Sequence, residues 1–250
     1  MKNVTREIQK ILALMPALLL ILGPATASEQ EKPAVFVNRI VVDGTINPAV
    51  AGFIQDSIRV SHQGSARALV IELDTPGGLL SSTRTIVKDI LGAPLPVIVY
   101  VAPSGAGAGS AGLFLTLSAH VAVMAPGTHI GAAHPVGGGG QEISGVLGEK
   151  LESFVASYGK AIAQQRGRNL DWAVKAIRES VAVTEVEALQ LNVVDFVAKD
   201  LDDLFHQVTG RQIEVGRQRI VLDLRVEART LEMSLTQKSA TLARELSTNG

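Results

Sequence analysis

The chain has 250 residues with 24 acidic and 23 basic side chains, and its formal net charge of −1 gives no electrostatic reason to expect a nucleic-acid partner. It has no cysteine, which excludes a thiol nucleophile, a thiolate metal site and any disulfide. Because 46% of the residues are hydrophobic and only 4% are aromatic, the core must consist mainly of Ala, Val, Leu and Ile, which suits a parallel sheet covered by helices.

Residues 1–27 have the pattern of a secretory signal peptide. Basic side chains at positions 2, 6 and 10 precede an apolar stretch at 11–22, and residues 25–27 supply the small side chains that a signal peptidase reads. The apolar stretch is shorter than the roughly 20 residues of a membrane-spanning helix, although an uncleaved anchor is the alternative interpretation. In either case we expect the rest of the chain to be exported, to the periplasm or another extracytoplasmic space, with or without membrane association.

Apolar strands alternate with helices from residue 34 onward. The first half of the chain is predicted to begin with a strand pair at 34–37 and 39–42, or with one bent strand over the same residues. Further strands are predicted at 68–73, 96–101 and 121–125, and helices at 48–62, 79–91 and 111–119. Asn47 and Pro48 suit the N-cap and the first position of the first helix. The alternation predicts an α/β fold of repeated βαβ units around a mostly parallel sheet.

The second half is richer in helices. A short apolar segment at 128–133 precedes a glycine-rich stretch at 136–148, which we expect to be a mobile loop. After it come predicted helices at 149–165, 170–180 and 200–208, a capping box from Thr184 to Glu187 and a last strand at 193–197. We therefore expect one domain over 28–210. Residues 211–250 are interpreted as a hairpin at 212–224 and an amphipathic helix or linker at 227–246.

Ser110 is the candidate nucleophile. It lies in a run of Gly, Ala and Ser at 104–112, after the apolar strand that ends at Val101. A serine at a strand-to-helix turn exposes its hydroxyl, and small neighbours let a substrate backbone approach closely. A tight turn before a closely packed helix is the structural alternative.

Two backbone amides are candidates for an oxyanion hole. Acyl transfer needs donors for the charge that develops on the carbonyl oxygen. The Ala111 amide would open the helix after Ser110, with the helix dipole behind it. The Gly78 amide ends the motif Asp74-Thr-Pro-Gly-Gly78, at the carboxyl end of the preceding strand, where ligands bind in parallel α/β sheets. An ordinary turn is the alternative interpretation of Pro-Gly-Gly.

The general base could be a histidine or a lysine. Of the five histidines, only His134 lies in an apolar segment near the glycine-rich stretch. Lys150 is predicted to open an apolar-faced helix, where the positive helix terminus would favour its neutral form. A lysine at this end opposes the helix dipole, which indicates a functional reason for its position. A solvent-exposed lysine without a catalytic role is the alternative.

Eight short motifs follow one another in order over about residues 35–210. They are Asp74-Thr-Pro-Gly-Gly78, Ser110-Ala-Gly112, Met124-Ala-Pro-Gly-Thr128, Ile130-Gly131, Gly148-Glu-Lys150, Arg166-Gly-Arg-Asn169, Thr184-Glu-Val-Glu-Ala-Leu189 and Val193-Val-Asp195. As a set, these motifs resemble the NfeD family of membrane-associated serine proteases, also called stomatin operon partner proteins, which have the Clp-protease/crotonase fold.

The resemblance implies a Ser–Lys dyad with Ser110 as nucleophile and Lys150 as base, and with Gly78 and Ala111 as the oxyanion hole. Cytoplasmic Clp proteases carry their histidine in a His-Gln-Pro-Leu-Gly-Gly context, which is similar to Ala133-His134-Pro-Val-Gly-Gly here. When the two motifs are aligned on the proline, Ala133 occupies the position of the catalytic histidine. A one-residue shift on an extended segment turns a side chain to the opposite face, so His134 is the less favoured base.

The resemblance further implies an exported, ATP-independent serine endopeptidase without cofactor or metal. Its expected substrates are hydrophobic segments of membrane-associated partners such as stomatin-like proteins, and its expected assembly is a homo-oligomer, most simply a dimer. Two alternatives remain open at this point. One is a crotonase-like enzyme acting on acyl thioesters, and the other is a non-catalytic scaffold for a stomatin-like membrane protein.

Overall fold

The structure is a computed structural model that describes residues 35–137, 140–234 and 239, so the predicted signal peptide lies outside the described residues. A six-stranded parallel sheet forms its centre, in the order β11-β1-β2-β3-β5-β8. Its strands are β1 (Phe36–Asp43), β2 (Leu69–Asp74), β3 (Val97–Val101), β5 (Val121–Met124), β8 (Phe196–Val197) and β11 (Glu227–Thr230).

Two smaller sheets flank this centre. The first contains β4 (Gly107–Gly109), β6 (His129–Gly131) and β7 (Ala182–Thr184), with β4 parallel and β7 antiparallel to β6. The second is a hairpin of β9 (Gln212–Val215) and β10 (Gln218–Val221). The described helices are α1 (Pro48–Gln63), α2 (Leu80–Leu91), α3 (Ala111–Ser118), α4 (Gly145–Gln165), α5 (Leu170–Arg178), α6 (Glu185–Gln190) and α7 (Leu201–Val208).

Both faces of the main sheet are covered, which explains the nearly continuous apolar character of its central strands. All five residues of β3 are buried. One face packs against the helices α1 to α5. The other face packs against α7 and the β9–β10 hairpin, through side chains such as Leu204 and Ile213. Strands that are buried on both faces are typical of parallel sheets in α/β proteins, so the predicted fold class is confirmed.

Local sequence signals place several element ends correctly. The Asn47 side chain accepts hydrogen bonds from the backbone amides of Ala49 and Val50, at the N-terminus of α1. Thr184 and Glu187 form the predicted capping box, which opens α6. These caps satisfy amides that have no carbonyl acceptor within the helix.

The prediction of an amphipathic helix or linker from residue 227 is wrong for residues 227–230. Glu227–Thr230 forms β11, which pairs in parallel with Phe36–Arg39 of β1. The pairing covers an edge of the main sheet that would otherwise present unpaired backbone groups. Leu231 and Met233 then pack against the hydrophobic core. The remainder of the predicted segment at 235–238 and 240–246 lies outside the described residues.

The start of α4 also differs from the prediction. The helix begins at Gly145 rather than at Glu149, after Ser144 in the N-cap position. Glycine has poor helix propensity, and this is why the sequence pattern favoured a loop as far as Gly148. Of the predicted loop, residues 138–139 lie outside the described residues. None of the helices in the described part of the chain has the length and hydropathy needed to cross a membrane.

A buried arginine closes the end of α3 opposite to Ser110. The Arg168 guanidinium donates to the carbonyl oxygens of Leu117, Ala119 and Val193 and forms an ion pair of 3.0 Å with Asp195. Burial lowers the pKa of Arg168, whereas the Asp195 carboxylate opposes this shift. A cation at a helix C-terminus also interacts favourably with the helix dipole. Arg168 therefore joins α3 to the segment that precedes β8.

We expect Arg168→Ala to lower the free energy of unfolding by about 3–5 kcal/mol, because it leaves the Asp195 carboxylate and three carbonyl oxygens without this partner. Urea unfolding at pH 7 measures the change. Arg178→Ala is the matched control, since its 3.5 Å ion pair with Glu152 is largely exposed and should contribute less than about 1 kcal/mol. Equal losses in the two variants would contradict the role of Arg168.

His120 predicts a pH dependence of stability. Burial first, and the Arg166 charge second, lower the pKa of His120 to about 3. Its ring nitrogens lie 3.2 Å from the Val97 amide nitrogen and 3.3 Å from an Arg166 nitrogen. The unfolded chain, with a pKa near 6.5, therefore binds this proton more readily than the folded chain. The neutral imidazole contributes stability that is complete above pH 6.5 and declines as the pH falls toward 3.

We expect this histidine to lower the free energy of unfolding by about 2 kcal/mol at pH 5 relative to pH 8. His120→Asn, which keeps an acceptor for the Val97 amide, should remove this part of the pH dependence. His62→Asn, at an exposed position, should retain it. Urea unfolding at both pH values tests the difference. The same change in the free energy of unfolding between pH 8 and pH 5 in wild type and His120→Asn would refute it.

Candidate active site

Ser110 lies at a strained turn between a strand and a helix. It follows β4, precedes α3 and has φ 44° and ψ −104°. A positive φ is costly for a residue with a side chain, and such strain concentrates at functional sites. The Ser110 amide donates to the Gly131 carbonyl oxygen at 3.0 Å, which ties the turn to β6. The predicted strand-to-helix placement is confirmed, although β4, the strand directly before Ser110, was not predicted.

Gly77 allows the neighbouring turn to reach the serine. A Cβ atom at Gly77 would lie 2.7 Å from Ser110 Cβ and 3.2 Å from Ser110 Oγ. The Gly77 φ of 133° is also in the region that favours glycine. A side chain at this position would therefore collide with the candidate nucleophile.

The Gly78 amide is free to receive a ligand. On one side of the turn, Ile46 N donates to Gly77 O at 2.8 Å and Leu79 N donates to Ile46 O at 2.9 Å. The intervening Gly78 N–H points away from Ile46 and has no acceptor among the described residues. Its turn contacts Ser110 through Gly77, so this amide lies beside the candidate nucleophile.

The Ala111 amide is the second donor at the site. It belongs to the first residue of α3, so no carbonyl one turn earlier can accept its hydrogen bond. A Cβ atom at Gly77 would lie 3.7 Å from Ala111 N, which places this amide beside the same turn. The geometry therefore brings Ser110, Gly78 and Ala111 together, and two free donors next to a hydroxyl can stabilise an oxyanion.

These groups open into one apolar cavity. It has a volume of about 730 Å³ and is lined in part by Gly78, Ser110 and Ala111. Further wall residues are the apolar side chains Leu80, Phe114, Leu151 and Val155. A cleft with apolar walls and a few convergent polar groups is the usual form of a ligand-binding site. No group of three or more His, Asp or Glu side chains within the described ranges could hold a metal ion.

His134 lines the same cavity as Ser110. It is partly buried, and its Nδ1 lies 3.2 Å from the Ile177 carbonyl oxygen. When Nδ1 carries the proton and donates to this carbonyl, Nε2 is left as the basic nitrogen. Its neighbour Ala133 is buried, and the Ala133 amide donates to Ala176 O at 2.8 Å.

Lys150 is exposed and is not among the described residues that line the cavity, whereas the next residue, Leu151, is. Since α4 begins at Gly145, Lys150 lies in its second turn and not at its N-terminus. The helix dipole acts mainly within the first turn, so the expected positive field at Lys150 is lost. The structure thus groups Ser110, Gly78 and Ala111 without Lys150, and the role of Lys150 remains a prediction.

Thr75 and Asp74 were missed as supporting residues. The Thr75 hydroxyl accepts from the Gly77 amide at 3.1 Å, and the Asp74 carboxylate accepts from the Gly107 amide at 2.9 Å. A threonine two residues before a glycine in a Pro-Gly turn is the signal for the first contact, because its hydroxyl can accept from the amide two residues on. The second contact depends on β4 and had no local signal.

Comparison with known proteins identifies the family of this chain. Residues 36–207 match the family model described as NfeD1b, N-terminal domain. The chain belongs to this family. Over 234 residues it is 35% identical to "Membrane-bound protease PH1510" of Pyrococcus horikoshii, an alignment that covers 92% of this chain and 52% of that protein. The chain therefore spans about half the length of this relative.

Solved structures extend the comparison to three dimensions. A lysine-to-alanine variant of the 1510-N membrane-bound stomatin-specific protease, in complex with a substrate peptide, is 32% identical, with a TM-score of 0.79 over 85% of this chain and 99% of that chain. ClpP1 from Listeria monocytogenes is 19% identical, with a TM-score of 0.51 over 66% of this chain and 94% of that chain. The second likeness concerns the fold alone and confirms the predicted Clp-like architecture.

We expect Gly77→Ala in this NfeD1b N-terminal domain to lower the reaction rate of Ser110 with a fluorophosphonate at least tenfold, because the added Cβ displaces the serine. Gly127→Ala is the control, since Gly127 also has a positive φ of 78° but a Cβ there would meet nothing within 4 Å. Mass spectrometry of the labelled chain measures both rates. Equal labelling of the two variants would contradict the proposed close contact.

Proposed function

We propose that this protein is an exported, ATP-independent serine endopeptidase in which Ser110 and Lys150 form a catalytic dyad. The observation that carries the proposal is the convergence of the strained Ser110 with the free amides of Gly78 and Ala111 on one apolar cavity. A nucleophile beside two oriented donors is the arrangement that acyl transfer requires. The family membership and the similarity to a membrane-bound protease support the same reaction class.

The reaction proceeds in two halves. Lys150 Nζ, in its neutral form, accepts the proton of the Ser110 hydroxyl as Oγ forms a bond to the peptide carbonyl carbon. The carbonyl electrons move onto oxygen, which accepts hydrogen bonds from the Gly78 and Ala111 amides. The tetrahedral intermediate expels the amine, which takes the proton from Lys150. Water then attacks the ester while Lys150 accepts its proton. The second tetrahedral intermediate expels Ser110 Oγ, which takes that proton back from Lys150 as the free acid leaves.

Lys150 must approach Ser110 for this mechanism, because a general base has to lie within hydrogen-bond reach of the proton. Residues 144–147, 149 and 150 are exposed, so the first turns of α4 have few packing contacts that oppose a rearrangement. An amine that enters a cavity with apolar walls favours its neutral form through desolvation. The lysine-to-alanine variant of the relative that is described in complex with a substrate peptide supports a lysine in this role.

His134 is the second candidate for the base. One specific observation favours it, namely that it shares the cavity with Ser110 and has an acceptor for Nδ1 in the Ile177 carbonyl. A histidine oriented in this way can abstract a proton through Nε2. The two assignments predict different inactive variants.

The proposed substrates are hydrophobic segments of membrane-associated proteins, with a stomatin-like protein as the partner. The apolar cavity walls suit such side chains, and the relative of known structure is described as stomatin-specific. Leu79 and Val136 also line the cavity and are 47% and 54% exposed, which extends the apolar surface toward solvent. We retain the periplasmic or extracytoplasmic location and the dimer as parts of this proposal.

Cleavage of a peptide rich in Val and Leu by residues 28–250 tests the proposal. We expect Ser110→Ala to lower kcat/KM by roughly 10⁴-fold or more and Lys150→Ala by about 10²–10⁴-fold, whereas His134→Ala should retain activity. Lys160→Ala is the matched control, since Lys160 is also exposed on α4. Circular dichroism confirms that each variant is folded.

The outcomes separate the competing assignments. An inactive His134→Ala with an active Lys150→Ala would transfer the role of base to His134. Hydrolysis of acyl thioesters without peptide cleavage would favour the crotonase-like alternative. Absence of both peptide cleavage and fluorophosphonate labelling in the wild type, together with binding of a stomatin-like protein that survives Ser110→Ala, would favour the scaffold.

A further inference from the structure

Thr75 contacts both segments that contribute to the candidate oxyanion hole. It is buried, with 1% of its surface exposed, in the turn after β2. Its amide donates to Gly107 O at 2.8 Å, and its carbonyl oxygen accepts from Gly109 N at 2.9 Å. These bonds pair Thr75 with β4, the strand that leads into Ser110.

The Thr75 hydroxyl fixes the turn that contains Gly77. Its oxygen accepts from Gly77 N at 3.1 Å, and its proton is donated to Gly77 O at 3.1 Å. The same carbonyl oxygen accepts from Ile46 N at 2.8 Å. Two donors therefore hold Gly77 O on the side away from the cavity.

The direction of Gly77 O determines the direction of the Gly78 amide. In a planar trans peptide the carbonyl oxygen and the following N–H point in opposite directions. Glycines at 77 and 78, with φ of 133° and 156°, leave this peptide freer to rotate than one between residues with side chains. A bond that holds Gly77 O in place therefore directs the Gly78 N–H toward the cavity.

The Thr75 methyl contacts the other donor segment. Its Cγ2 would lie 2.8 Å from a Cβ atom at Gly112, so it packs directly against the first turn of α3. Ala111, whose amide is the second donor, is the residue before Gly112. One side chain thus touches the turn of Gly78 through its hydroxyl and the helix of Ala111 through its methyl.

We infer that Thr75 is a positioning residue of the catalytic site, whose hydroxyl orients the Gly77–Gly78 peptide so that the Gly78 and Ala111 amides converge on the same oxyanion. This inference rests on the proposed function. It assigns Thr75 no contact with the reacting atoms, since Thr75 acts through the peptide that it holds. Oriented donors matter most where charge develops, so the hydroxyl should affect the chemical step more than substrate binding.

Two pairs of variants isolate the hydroxyl. In the first pair, wild type and Thr75→Val have side chains of the same shape, and only wild type has the hydroxyl. In the second pair, Thr75→Ser and Thr75→Ala both lack the methyl, and only Thr75→Ser has the hydroxyl. We expect loss of the hydroxyl to lower kcat 10- to 100-fold in both pairs, with KM unchanged within about twofold. Thr128→Val is the matched control, because it removes another buried hydroxyl, bonded to Ala125 O, away from the cavity.

A second measurement does not depend on activity. Hydrogen exchange of the Gly77 amide, followed by NMR, should be at least tenfold faster in Thr75→Val and Thr75→Ala than in wild type and Thr75→Ser. Thr128→Val should leave it unchanged. If Thr75→Val does not fold, as judged by circular dichroism, the Thr75→Ser and Thr75→Ala pair provides the comparison.

The results distinguish this inference from the proposed function. An active wild type whose kcat is unchanged by loss of the hydroxyl in a folded pair would overturn the role of Thr75. An equal loss of kcat in Thr128→Val would overturn it as well. So would an effect of the Thr75 hydroxyl that lies mainly in KM. A wild type that neither cleaves peptide nor reacts with a fluorophosphonate would refute the proposed function, and with it the catalytic role of Thr75. The hydrogen-exchange rates would still show whether the Thr75 hydroxyl holds the turn.

Discussion

The site depends on the close approach of two backbone segments, residues 75–78 after β2 and residues 107–112 around Ser110. A Cβ atom at Gly109 would lie 2.9 Å from Pro76 O, and one at Gly77 would lie 2.7 Å from Ser110 Cβ. Side chains at these positions would push the segments apart. Because Gly77 and Gly109 have no side chains, amides from two different strand ends reach the same cavity. The contacts between the two segments also hold Ser110 in its strained conformation.

The conformational strain at Ser110 has to be offset by favourable packing elsewhere, and the buried helix α3 contributes to this packing. The helix has only eight residues, all of them buried, and a helix of this length is not stable in isolation. At its C-terminal end, Arg166 donates to Ser118 O and Arg168 to Leu117 O and Ala119 O. These cations satisfy the last carbonyls, while the Ala111 amide at the other end of the helix is the proposed donor to a developing negative charge. The stabilising contacts and the proposed chemistry thus lie at opposite ends of the same helix.

The sequence predicts the features that depend on neighbouring residues and misses those that depend on distant ones. The central strands and the turn at Ser110 follow from apolar runs and small residues. The strand β4 is Gly-Ala-Gly, which has little strand propensity, and it forms because Thr75 and the strand His129–Gly131 pair with it. Likewise, Glu227–Thr230 has no alternating apolar pattern and becomes a strand only beside the edge of β1. The residues that line the cavity come from segments far apart in the chain, so no spacing indicates them.

The position of the base relative to Ser110 depends on how α4 meets the cavity. Successive residues of a helix point about 100° apart, so Lys150 cannot share the direction of Leu151, which lines the cavity. Rotation of the whole helix would bring Lys150 inward only by removing Val155 and Ala156, both 2% exposed, from the core. Unwinding confined to the exposed turns that begin at Gly145 keeps this burial intact, and an apolar substrate side chain in the cavity could replace the contacts of Leu151. A lysine base on this helix is therefore most easily brought into place when substrate is bound, whereas His134 already lines the cavity.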